Sequence, residues 1–208
     1  MSVRRAAVWS LSAQYATFAI QFAASVIISR FFLLPADIGL FSIALAAALM
    51  VAIFQDMGIT RFISGQPEMR PESIPHYAWV AIGIGWLVAA AVAIAAPFVA
   101  DFYGEPSLAY LLWVIAGSYL IAPFAIVPAA LLMRKMDFRA LFHVNAGSAL
   151  AGNATAIALA AMGTGPASLA WGVLASAIFR TIIANLHQPV LPRTPRERET
   201  VRPVVGLR

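Results

Sequence analysis

The sequence predicts an all-α integral membrane protein of six transmembrane helices. Three observations lead there. First, the 208 residues are 62% hydrophobic and only 11% charged, with a mean hydropathy of +0.84. A soluble domain is roughly 45–50% apolar and about 25% charged. So few charges cannot clothe a water-facing surface, which excludes a soluble globular domain, a disordered tail and a collagen-like fibre. Second, the charged residues are spaced so that long uncharged stretches lie between them. Third, Lys and Arg gather on one side of the alternating topology those stretches define. The net charge of +5 then reports membrane orientation and not a nucleic-acid partner. With no cysteine, there is no disulfide framework, iron–sulfur cluster or cysteine-based zinc site.

The gaps between charges set the spans. Crossing ~30 Å of hydrocarbon takes ~20 mostly apolar residues. Uncharged runs lie between Arg5 and Arg30, Asp37 and Asp56, Glu72 and Asp101, Glu105 and Arg134, and Arg139 and Arg180. The last is long enough for two helices, and Gly163-Thr164-Gly165-Pro166 divides it. The expected helices are 6–29, 38–60, 76–99, 107–133, 139–162 and 167–187. The first follows Arg4 and Arg5 as a secretory signal would. It is too long for a signal's apolar core and lacks an obvious small-residue cleavage site, so it reads as a retained helix.

With the N-terminus inside, every Lys and Arg except Arg30 falls on one side, while Asp37, Asp101 and Glu105 fall on the other. Both termini are therefore expected in the cytoplasm, with short outer loops. Residues 1–188 form the transmembrane unit. The segment 189–208, with Pro189, Pro192, Pro195 and Pro203 among alternating Arg and Glu, reads as a cytoplasmic linker or tail, solvated or drawn to anionic headgroups.

Polar residues within spans are costly, so their placement carries information. In the first helix Ser10, Gln14, Thr17, Gln21 and Ser25 recur at steps of three and four and share one face. That face lines a hydrated cavity or makes hydrogen bonds between helices. In the fifth helix Asn145, Ser148, Gly152 and Thr155 form a similar row, with Asn153 to the side, and Ser148-x-x-x-Gly152 favours close packing. Asp56 stands near the inner end of the second helix, with Arg61 following; the two pair, or Asp56 binds a proton or cation at a cavity mouth. Arg30 snorkels at the outer interface or meets an anionic substrate. Pro97, Pro123 and Pro128 predict kinks in the third and fourth helices. Trp9, Trp79, Trp113 and Tyr110 read as interfacial anchors. His76, His143 and His187 lie near the inner boundary but far apart in sequence, and read as interfacial too. No catalytic constellation, phosphate loop, metal set or cofactor motif is present, which speaks against an enzyme.

Several segments together resemble the N-terminal half of bacterial polysaccharide and oligosaccharide flippases, within the multidrug/oligosaccharidyl-lipid/polysaccharide exporter superfamily. Val8-Trp9-Ser10-Leu11 with Gln14 looks like that family's opening. Ser29-Arg30-Phe31-Phe32-Leu33-Leu34-Pro35-Ala36-Asp37-Ile38-Gly39-Leu40-Phe41 is similar to its commonest signature. Leu34 stands where Gly is usual, Ala36 replaces one acidic residue and Ile38 replaces the aromatic. Asp56-Met57-Gly58-Ile59, the run Pro128 to Arg139, and Gly163 to Ala170 resemble further family elements in the same order.

The resemblance implies one six-helix lobe of a two-lobe transporter in the bacterial inner membrane. It implies a substrate cavity between lobes and a polyprenyl-diphosphate-linked oligosaccharide as cargo, flipped between leaflets, with membrane lipids around it. Ser10, Gln14, Thr17, Gln21, Ser25 and Asn145 are then candidates to line the cavity. Arg30 would meet the diphosphate or close the outer gate, and Asp56 and Arg61 would couple or gate. The second lobe is expected from a partner chain, a homodimer or the remainder of a longer protein. The alternatives are a multidrug or metabolite exporter of the same superfamily and a non-transporting membrane fragment or scaffold.

Overall fold

The computed structural model describes residues 3–56 and 74–189, and side chains within 11–51 (Ala13 excepted) and 78–189. Among these residues every regular element is helical. The helices are α1 (Val3–Phe31), α2 (Pro35–Asp56), α3 (Ile74–Tyr103), α4 (Ser107–Ile121), α5 (Pro123–Arg134), α6 (Phe138–Ala161) and α7 (Ala167–His187). The expected first, second, third, fifth and sixth helices each correspond to one of these, and α7 has the expected bounds. The fourth differs. It breaks at Ala122 into α4 and α5, bent by 47°. Pro123 cannot donate an amide to the preceding turn and its ring crowds that turn. Ala125 N donates to the Ala122 carbonyl at 3.0 Å, a tighter step than the α-helical one. By contrast, α3 continues unbroken through Pro97.

Short turns force neighbours together. Gly163 and Gly165 adopt φ of +79° and +61° between α6 and α7, a region that costs glycine little. Asp137 caps α6, its carboxylate accepting from Ala140 N at 3.1 Å. Before it, Met136 takes φ of +53° without being glycine.

Two apolar clusters hold the bundle. In one, Val88, Val92, Ala96 and Ala100 form an inward row on α3, and Leu108, Leu111, Leu112 and Ile115 form the facing stripe of α4. Ala44 and Ala48 bring in α2. The second joins α5, α6 and α7 through Ala125, Leu132, Leu141, Val144 and Ala184. Both follow the three-and-four spacing that gathers one helix face. The most extensive packing is between α6 and α7; α4 also packs on α7, and α1 leans mainly on α6.

The outside of the bundle is apolar as well. Leu87 and Phe98 are each 70% exposed and Phe102 82%. Water would penalise such a surface and lipid would not. Among the described residues, Ala78–Tyr103 and Ala167–His187 are long and apolar enough to cross a membrane, and α4 with α5 forms a third such unit as a bent pair. Pro35–Val51 of α2 is apolar but shorter. The helix α6, with Asn145, Asn153 and Thr155, is less apolar and falls outside that group. The apolar exterior and these spans fit a membrane location.

Candidate functional site

The polar row of α1 is seen from Gln14 onward. Gln14, Gln21 and Ser25 are exposed and Thr17 is half-buried. The buried face of α1 is marked by Ala24 and Ile28, and Ile28 packs with Ala156 of α6. At 3.6 residues per turn, Gln21 lies about 60° around the helix from Ala24. The amides therefore border the seam with α6 without entering it. Thr17 sits closer to the seam, and its Oγ1 is buried without a hydrogen-bond partner among the described residues. On the far flank of the row Phe18 and Phe22 are exposed, with rings stacked at 6.1 Å.

The polar row of α6 behaves differently. Ser148 Oγ donates to Asn145 O at 3.0 Å, Asn153 Nδ2 to Ala149 O at 2.8 Å and Thr155 Oγ1 to Ala151 O at 2.8 Å. These three side chains satisfy themselves on their own helix. Gly152 serves contact. A Cβ built there would stand 2.7 Å from the Gly172 carbonyl and 2.7 Å from Ser176 Cβ of α7. Asn145 is half-buried on the same helix.

Arg30 stands in the last turn of α1 with its side chain exposed. The nearby carboxylate of Asp37 serves the backbone, accepting from Leu34 N at 3.1 Å at the start of α2. Asp56 is the last residue of α2; its side chain, that of Ser10, and Arg61 lie outside the described residues. So does residue 190 onward of the expected tail.

Three features were not foreseen from sequence. Trp113 Nε1 donates to Ala93 O at 3.1 Å, and Tyr110 accepts from Trp171 Nε1 at 3.1 Å. Trp113 and Tyr110, expected as interfacial anchors, thus also link helices. His143 and His187 stack with ring centroids 5.6 Å apart, because the α6–α7 hairpin returns the end of one helix to the start of the other. Beside them, Lys135 Nζ donates to Gln188 Oε1 at 2.6 Å. The signal for this meeting lay in their positions at the start of one helix and the end of the next, which a short turn joins at the other end. Among the described residues no group of three His, Asp or Glu could hold a metal.

Comparison with known proteins gives this architecture a family. A family model described as polysaccharide biosynthesis protein matches residues 27–207. The chain is 28% identical over 182 residues to the succinoglycan biosynthesis transport protein ExoT of Rhizobium meliloti (strain 1021), covering 86% of this chain and 36% of that protein. It is 23% identical over 114 residues to the lipopolysaccharide biosynthesis protein WzxC of Escherichia coli (strain K12), covering 55% of this chain and 23% of that protein. The chain thus spans about a third or less of the length of these curated relatives. No solved structure matches it significantly. On the family match over most of its length, the chain belongs to the polysaccharide biosynthesis protein family.

Proposed function

We propose that this chain forms one six-span lobe of a flippase that moves polyprenyl-diphosphate-linked oligosaccharide across the bacterial inner membrane, with both termini cytoplasmic. The exposed amide row of α1 carries the reading. Gln14 and Gln21 lie on a helix that leans mainly on α6, and hydrocarbon does not tolerate unpaired amides. Such a row needs a hydrated, polar space beside it. A second lobe facing α1 would enclose that space, where amides and hydroxyls replace the water lost by a sugar head. Ser10, Thr17, Ser25 and Asn145 extend the same lining. Arg30 supplies the positive charge that a diphosphate requires, and Asp56 with Arg61 forms a gate or coupling pair. The role is transport and not catalysis. The family and the relatives' names, succinoglycan transport and lipopolysaccharide biosynthesis, support the cargo class.

The test is complementation. Wild type, Gln14→Leu/Gln21→Leu and Arg30→Glu are expressed from the native gene context in a host lacking its own polysaccharide transporter. Surface polymer is then measured against membrane abundance of the protein. The double leucine variant should accumulate normally and lose most polymer export. Wild-type export with both amides gone would remove the cavity reading, and normal export by Arg30→Glu would remove the diphosphate role.

A further inference from the structure

We propose that the end of the bundle formed by the α5–α6 turn, the first turns of α6 and the end of α7 is a binding site for an anionic phospholipid headgroup. The inference holds for this chain whatever it transports. Lys135, on the turn, is tied to Gln188 at the end of α7 and keeps further N–H donors on its ammonium. Arg139 and His143 follow one helical turn apart on the same exposed face of α6. His187 stacks on His143 at 5.6 Å, which brings α7 to that face. Four exposed nitrogen-bearing side chains thus converge from three elements. An imidazole offers an N–H in either protonation state, so all four remain donors. The nearby carboxylate, Asp137, caps α6 through Ala140 N, which holds it on the backbone, and its single charge is fewer than those of Lys135 and Arg139 together.

The surroundings decide between a free phosphate and a lipid. Met133 and Met136 flank the turn at 45% and 46% exposure, and Leu186 beside His187 is 78% exposed. A soluble anion makes no use of this apolar rim, whereas the acyl chains below a phosphodiester headgroup do. Basic side chains with an apolar flank at the end of a membrane helix match an anionic lipid in both parts.

The full chain is purified in mild detergent and titrated with phosphatidylglycerol or phosphatidylcholine, and bound lipid is counted by native mass spectrometry. Wild type should retain phosphatidylglycerol in preference to phosphatidylcholine. Arg139→Gln should weaken phosphatidylglycerol retention about fivefold, the equivalent of one basic group at a charged membrane surface. Arg139→Gln/His143→Gln/His187→Gln should weaken it further, with phosphatidylcholine unchanged in both. If the triple variant does not fold, the single variant alone decides. Equal retention of the two lipids by wild type, undiminished retention by Arg139→Gln, or displacement by glycerol phosphate at matched concentration would each overturn the site.

Discussion

Asn185 Nδ2 on α7 donates to the carbonyl of Phe124 on α5 at 3.1 Å, and this is the carbonyl that Pro128 leaves without its helical amide. The same solution recurs elsewhere. Pro97 deprives Ala93 O of its partner, and Trp113 Nε1 of α4 takes its place. At the break itself Leu120 O accepts from Trp86 Nε1 at 3.3 Å and Ile121 O from Thr181 Oγ1 at 3.2 Å. In lipid a carbonyl freed by proline has no water to turn to, so a neighbouring helix must supply the donor.

That logic makes Asn185 and Pro128 thermodynamically coupled. Asn185→Ala should destabilise the protein by about 1 kcal/mol, within the range of single hydrogen bonds between membrane helices. In a Pro128→Ala background, where residue 128 can donate to Phe124 O, the same change should cost much less. A double-mutant cycle by denaturant unfolding in detergent reads the difference. Equal costs in both backgrounds would mean that the carbonyl does not depend on Asn185.

Trp113 offers an independent instance. Trp113→Phe keeps an aromatic side chain, smaller than the indole, and removes the N–H that reaches Ala93 O. A loss of about 1 kcal/mol is expected, reduced when Pro97→Ala restores a helical amide. If Trp113 acted only as an interfacial anchor, Pro97→Ala would leave the cost of Trp113→Phe unchanged.

The α6–α7 crossing should resist any added methyl. A Cβ at Gly172 would lie 2.8 Å from Ala156 Cβ and 2.9 Å from Gly152 O, and the clash at Gly152 is as close. Gly152→Ala and Gly172→Ala should each destabilise by about 1–3 kcal/mol through overpacking. Thermal unfolding in detergent checks this, with Gly83→Ala as the control because nothing stands within 4 Å of its added Cβ.

Met136 should be improvable. Its φ of +53° is a left-handed conformation that costs an L-residue with a Cβ roughly 1–2 kcal/mol. Part of that cost returns as backbone entropy when glycine replaces it. Met136→Gly should therefore raise the unfolding midpoint modestly; a fall would show that the methionine side chain contributes more through packing than the backbone loses.

Thr17 separates stability from transport. Its buried hydroxyl has no partner among the described residues, and an unsatisfied buried hydroxyl costs about 1–3 kcal/mol. Thr17→Val preserves the shape and removes the hydroxyl, so the folded protein should become more stable. Loss of polymer export in that more stable variant would assign the hydroxyl to cargo. Unchanged export would leave it as a tolerated defect of the α1–α6 seam.

The sequence by itself determined the helical segments and the faces of each. Charge gaps located the apolar stretches, Gly163 to Pro166 located the turn, and the spacing from Gln14 to Ser25 located a polar row. These are properties of one helix at a time, and periodicity encodes them directly. Beyond the neighbours that short turns join, tertiary structure alone decided which helices meet. Nothing in the apolar pattern says that α1 leans on α6, that Gly152 meets Gly172, or that His143 reaches His187. In lipid an apolar face gains little by choosing one apolar neighbour over another, so close packing and hydrogen bonds make the choice. Both depend on three-dimensional placement. The break at Ala122 belongs to both levels: the prolines announced a bend, but only the donors on α3 and α7 settled where its carbonyls would be satisfied.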